Sequence, residues 1–178
     1  EGLHPTQLII IAARPAVGKT AFALNLALAA AKSTKKNIAI FSLEMPAEQL
    51  IMRMISSLGQ IDNKKLSTGK LENEDWKRFN EAISILADTN IYFHDAGGVT
   101  PAEIKAKCRR LATQGDGLGL VIIDYLQLID SSSRYSGSRQ QEVSEISRAL
   151  KTMALELEVP VTALSQLSRS VEKREDKK

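Results

Sequence analysis

Two hydrophobic rhythms alternate along this chain. Short, nearly continuous apolar runs at residues 8–12, 37–42, 91–93, 120–123 and 161–164 predict strands. Runs of that kind suit strands covered on both faces, as in parallel sheets. The last run follows Pro160 directly, a position where a strand tolerates proline. Between the runs, apolar residues recur at three and four positions, which predicts helices over 18–32, 47–58, 73–87, 101–113 and 140–158. Pro46 stands before the second helix, and Thr100 is placed to cap the fourth. In the longest, Val143, Ile146, Leu150, Met153 and Leu157 follow 3-4-3-4 spacing and predict a core-facing seam. Strand and helix in alternation predict an α/β fold: a mostly parallel, twisted sheet with helices on both faces.

Two segments break the rhythm. Gly115-Asp116-Gly117 predicts a short turn. Residues 131–139, rich in serine and arginine, predict a longer polar loop directly after a strand. Open α/β sheets bind ligands beyond the carboxyl ends of their strands, so that loop lies at the functional edge.

Composition narrows the field. The chain has 178 residues, which suits one domain with a sizeable core. Aromatic residues make up 4%, too few for base-stacking platforms. A net charge of +3 is too weak to argue nucleic-acid binding by itself. The single cysteine, Cys108, rules out an internal disulfide framework and suits a reducing, cytoplasmic setting. Its neighbours Lys107, Arg109 and Arg110 allow a mildly lowered thiol pKa, but a structural role is the better expectation. No apolar run reaches the roughly 18 residues of a membrane span. His4 and His94 stand far apart and no Cys/His cluster has zinc spacing, which argues against a transition-metal site. Both ends read as cut, so residues 1–178 are expected to be one domain of a longer protein.

The chemistry concentrates at strand ends. Residues 7–20 run from a strand into Arg14-Pro15-Ala16-Val17-Gly18-Lys19-Thr20-Ala21, which opens an Ala- and Leu-rich helix. This approximates the phosphate-loop pattern G-x-x-x-x-G-K-[ST], with Ala13 at the first glycine position. Main-chain N–H groups at such a helix start favour an anion. Lys19 would add charge at the outer phosphates, and the Thr20 hydroxyl would be a hard ligand for Mg2+. Asp124 ends the apolar run Leu120-Val121-Ile122-Ile123, where a carboxylate can support that metal. Glu44, after the second strand, fits two roles equally: orienting an attacking water, or stabilising the N-terminus of the next helix. Gln166, just past the final strand, could reach a γ-phosphate or be an ordinary loop glutamine.

Taken together, these segments resemble the bacterial replicative DNA helicases of the DnaB family. The resemblance is carried by residues 12–25 at the phosphate loop and by Ser42-Leu43-Glu44-Met45. It continues through Ile123-Asp124-Tyr125-Leu126-Gln127-Leu128-Ile129, Arg139-Gln140-Gln141-Glu142-Val143 and Leu164-Ser165-Gln166-Leu167-Ser168-Arg169. Alanine at position 13 fits that family. The resemblance implies a RecA-like P-loop ATPase that binds ATP and Mg2+ in a homohexamer around single-stranded DNA and moves 5′ to 3′ to open the duplex. A primase and a helicase loader are implied as partners. By the same resemblance Lys19 and Thr20 hold phosphates and metal, Asp124 supports the metal, Glu44 activates water, and Gln166 couples the γ-phosphate to DNA-facing loops. Residues 131–139 correspond to a pore loop and 169–178 to the start of a second, making Arg134, Arg139 and Arg169 candidate DNA contacts. The family's arginine finger falls outside the sequence, so this chain alone is expected to bind nucleotide but hydrolyse it slowly. Other RecA-type ATPases, a small-molecule P-loop kinase and a nucleotide-switched accessory factor are the competing readings. The wording around Glu44 and Gln166 favours the helicase, and no arginine-rich lid or acceptor pocket is legible for a kinase.

Overall fold

The computed structural model describes residues 2–130 and 139–167. Five strands form one sheet: β1 (Leu8–Ala13), β2 (Asn37–Ser42), β3 (Ile91–His94), β4 (Leu118–Asp124) and β5 (Val161–Gln166). Their spatial order is β1-β5-β4-β2-β3, and every adjacent pair is parallel. The connections carry α1 (Lys19–Ser33), α2 (Ala47–Gly59), α3 (Asn63–Thr68), α4 (Asn73–Ala87), α5 (Pro101–Ala112) and α6 (Arg139–Leu157). Among the described residues, no helix is long and apolar enough to cross a membrane.

Alternation of side chains along each strand divides the core into two layers. Ile38 and Ile40 of β2, with Leu120 and Ile122 of β4, pack with Ala23, Leu24, Ala27 and Leu28 of α1 and Leu50 and Met54 of α2. Ala39, Phe41, Val121 and Ile123 point the other way, among Ile104 and Cys108 of α5 and Ile146, Leu150 and Met153 of α6. The expected seam of α6 is therefore real, buried at its centre and half-buried at Val143 and Leu157. A smaller cluster of Ile55, Ile61, Leu66 and Ala82 binds α3 and α4 onto the outer side of α2.

Local chemistry fixes the element ends. The Thr100 hydroxyl accepts from the Glu103 N–H, and the Glu103 carboxylate accepts from the Thr100 N–H, closing the start of α5. At the other end of α5, the buried Asn37 side chain donates to the carbonyls of Leu111 and Gln114, both at 2.9 Å. Each carbonyl also accepts from the main chain, Leu111 from Gln114 N–H at 3.3 Å and Gln114 from Gly117 N–H at 3.1 Å, so the amide adds a second donor to each and ties the end of α5 to the head of β2.

The structure departs from the sequence pattern at several places. Among the described residues β1 and β3 stand at the two edges of the sheet, and their apolar runs are not covered on both faces: Ile10 and Tyr92 remain substantially exposed. α3 is too short to show a helical period, and its signals are a cap at Asp62 and a left-handed Gly69. Finally, Gln166 is the last residue of β5 rather than a loop residue beyond it, and Arg139 is the first residue of α6.

Candidate nucleotide site

The carboxyl ends of β1, β4, β2 and β5 meet around a cleft of about 340 Å³. That volume lies within the usual range for small-molecule sites, about 300–1,000 Å³. Its floor is the loop from β1 to α1. Ala16 and Gly18 both have positive φ, 63° and 91°, and the first helical hydrogen bond runs from Phe22 N–H to Gly18 C=O at 2.9 Å. Turns of this handedness curl main-chain N–H groups into an anion-binding concavity, and glycine enters them without a Cβ penalty. Pro15, Ala16, Gly18, Lys19, Thr20 and Ala21 line the cleft. Arg14 and Val17 belong to the loop but lie outside that lining.

Asp124 is brought to the loop by the central strand. Its carboxylate, almost fully buried, accepts a hydrogen bond from the Thr20 hydroxyl at 2.7 Å. A hydroxyl that donates to a carboxylate keeps its lone pairs for a cation. Magnesium is commonly held by one or two carboxylates plus substrate phosphates, so this pair fits that ion. No cluster of three or more His, Cys, Asp or Glu suited to a metal occurs among the described residues. The Asp124 carbonyl accepts from Leu43 N–H at 2.8 Å, which binds the exit of β2 to that of β4. Glu44, the next residue, lines the cleft. At the start of α2, the Ala47 N–H donates to the Asp95 carboxylate at 2.9 Å.

Lys19 reaches across the cleft. Its ammonium donates to the Ser165 carbonyl at 3.0 Å and lies 5.5 Å from the centre of the Tyr125 ring. Gln166, adjacent on β5, also lines the cleft. Thus Lys19, Thr20, Glu44, Asp124 and Gln166, from four separate segments, share one cavity.

Two lining residues escaped sequence reasoning. Met45 and Arg53 belong to the β2–α2 segment, and Arg53 brings a second cation to the cleft. On the sequence Arg53 is one polar position of an amphipathic helix, with no spacing signal to single it out. Of the candidate DNA contacts, Arg134 and Arg169 lie outside the described residues. Arg139 donates to Glu142 at 2.8 Å and to the Gln127 carbonyl, so its guanidinium is anchored within the domain. Cys108 takes the structural role expected of it: burial pushes its thiol up to about 12, and the basic neighbours do not offset that.

Comparison with known proteins shows which family this chain resembles. The family described as DnaB-like helicase C terminal domain matches residues 1–178. The replicative DNA helicase DnaB of Geobacillus stearothermophilus is 57% identical over 177 residues, covering 99% of this chain and 39% of that protein. The replicative DNA helicase DnaC of Bacillus subtilis (strain 168) is 56% identical with the same coverage. This chain therefore spans only 39% of the length of these curated relatives. Among solved structures, a DnaB-like replicative helicase described with its primase interactions superposes with a TM-score of 0.91 at 39% identity, over 99% of this chain and 42% of that one. A second solved structure, described as an ATPase domain, gives the same score and identity over 99% of this chain and 63% of that one. The α/β fold is the RecA-like one these ATPase domains share.

Proposed function

The chain belongs to the DnaB-like helicase C-terminal domain family, and from that premise we propose that it is the ATP-driven motor of a replicative DNA helicase. Residues 1–178 are one RecA-like domain of a longer protein. It binds ATP with Mg2+, and each hydrolysis advances a homohexamer 5′ to 3′ along single-stranded DNA at the fork, with a primase and a loader as partners. The observation that carries this reading is the convergence of Lys19, Thr20, Glu44, Asp124 and Gln166 on one cleft at the strand ends.

The residues divide the work by chemistry. The loop amides and Lys19 hold the phosphate chain, and Lys19 gives up the Ser165 carbonyl to do so. Thr20 and Asp124 hold the magnesium, which when bound supplies positive charge to the β- and γ-phosphates. Glu44 accepts a proton from, and orients, the attacking water. Arg53 adds a cation at the cleft wall, and Gln166 reads the γ-phosphate from the tip of β5.

The test is ATP hydrolysis by the full-length parent protein, with and without single-stranded DNA, beside its Glu44→Gln variant. Hydrolysis stimulated by DNA, and lowered in the variant by about 10²–10⁴ while nucleotide binding survives, is the expected result. Turnover indifferent to DNA would sink the motor reading.

A further inference from the structure

Beyond Ala163, β5 has a neighbour on one side only. β4 pairs with it at Val121–Val161, Ile122–Thr162 and Ile123–Ala163 and no further. β1 continues alongside through Ala12–Ser165 and Ala13–Gln166. Successive residues of a strand turn their N–H and C=O groups to opposite sides. Ser165 turns its carbonyl toward the phosphate loop, where Lys19 takes it at 3.0 Å. Gln166 turns both of its groups to the side that β4 has left.

One side chain meets both. Gln127 Oε1 accepts from the Gln166 N–H at 3.3 Å, and Gln127 Nε2 donates to the Gln166 carbonyl at 3.2 Å. The same Nε2 donates to the Ser165 hydroxyl at 2.9 Å. A carboxamide offers an acceptor and donors in one plane, as a peptide group does. Gln127 itself is held from behind. It sits in a single 3-10 turn, Leu126–Leu128, closed by a bond from Leu128 N–H to Tyr125 C=O at 3.0 Å. Its carbonyl accepts from the Arg139 guanidinium at the start of α6.

We infer that Gln127 is a positioning residue for hydrolysis: its carboxamide stands in for the missing stretch of β4 and fixes where Gln166 faces the cleft. The inference rests on the ATPase reading above. Gln127 does not itself line the cleft. Without it, the β5 tip keeps its β1 contacts, including Leu167 N–H to Ala13 C=O at 3.1 Å. The strand therefore survives, and what loosens is the side of Gln166 away from the loop. Nucleotide binding by the loop and Lys19 is spared, so the effect falls on kcat.

The experiment compares the full-length parent with Gln127→Ala and Gln127→Glu, reading kcat and KM for ATP together with the Kd of a fluorescent ADP analogue. Loss of the two hydrogen bonds to Gln166 is worth a factor of about ten to a hundred, expected in kcat with ADP affinity nearly unchanged. The glutamate variant adds a signature that a merely structural role lacks. Ionised, it turns an oxygen on the Gln166 carbonyl; protonated, it regains a donor. Its rate relative to the parent is therefore expected to recover as pH falls toward the carboxyl range. An active parent with unimpaired variants overturns the inference alone, as does a loss of ADP affinity that matches the loss of kcat. A parent that hydrolyses no ATP overturns the reading beneath it as well.

Discussion

The Thr20 hydroxyl donates to the Asp124 carboxylate across 2.7 Å, joining residues 104 positions apart in the chain. The protein's own hydrogen bond thus makes neighbours of the two oxygens proposed to hold magnesium. Thr20→Val keeps the branched shape and removes the donor, leaving a buried carboxylate short of a partner. The expected cost is about 1–3 kcal/mol of stability in nucleotide-free buffer, measured by urea unfolding. The same variant is expected to lose the part of its ATP affinity that depends on Mg2+, read by titration with and without the ion. A variant as stable and as magnesium-sensitive as the parent would remove this pair from the site.

Asn37 links the head of β2 to the end of α5 through two carbonyls at 2.9 Å. Asn37→Leu fills the space but leaves each carbonyl with its main-chain donor alone. We expect a loss of about 1–3 kcal/mol in denaturant unfolding, the net worth of two hydrogen bonds. A change within about 0.5 kcal/mol, typical of surface sites, would mean the main-chain donors alone satisfy the carbonyls.

Cys108 is fully buried against the α6 seam, and burial raises its thiol to about 12. At neutral pH the reactive thiolate is therefore nearly absent. Native protein is expected to resist a thiol reagent that labels it promptly in denaturant. Fast labelling of the native state would contradict the packing of α5 on α6.

His94 closes β3 with its ring edge-on to Phe41, 5.6 Å between centroids. Burial is the main cause that lowers its pKa below 6.5, followed by the Lys107 charge, while Asp95 and Glu103 act the other way. The unfolded chain thus takes up this proton at a higher pH than the folded one. Stability from this site is complete above the unfolded value and is lost as pH falls through the folded value. Melting temperature is expected to drop as pH falls through about 6.5 and below, and His94→Leu to flatten that part of the profile. An equally steep profile in the variant would assign the effect to other groups.

How much of this was legible in the sequence depends on how far each relationship reaches along the chain. The phosphate loop and its helix are contiguous, and Asp124 is marked by the apolar run it terminates, so both could be read directly. The two-sided core followed from strand and helix in alternation. What stayed hidden depends on spatial strand order. Nothing in the wording of β1 marks it as an edge. The Lys19–Ser165 bond spans 146 positions and the Gln127–Gln166 bond spans 39. Asp95 at the head of α2 lies 48 positions from its partner Ala47. Such pairs become neighbours only through the strand order, with β5 between β1 and β4 and β3 beside β2, which pattern alone does not state.

The place of β4 in that order has one more consequence. It is the middle strand of five, with Leu120 and Ile122 set in one core layer and Val121 and Ile123 in the other. Asp124 is therefore mounted on the part of the molecule least free to shift, whereas the loop after β1 and the tip of β5 belong to its periphery. It serves as a datum: displacements elsewhere in the cleft are measured against this carboxylate, which stays where the sheet puts it.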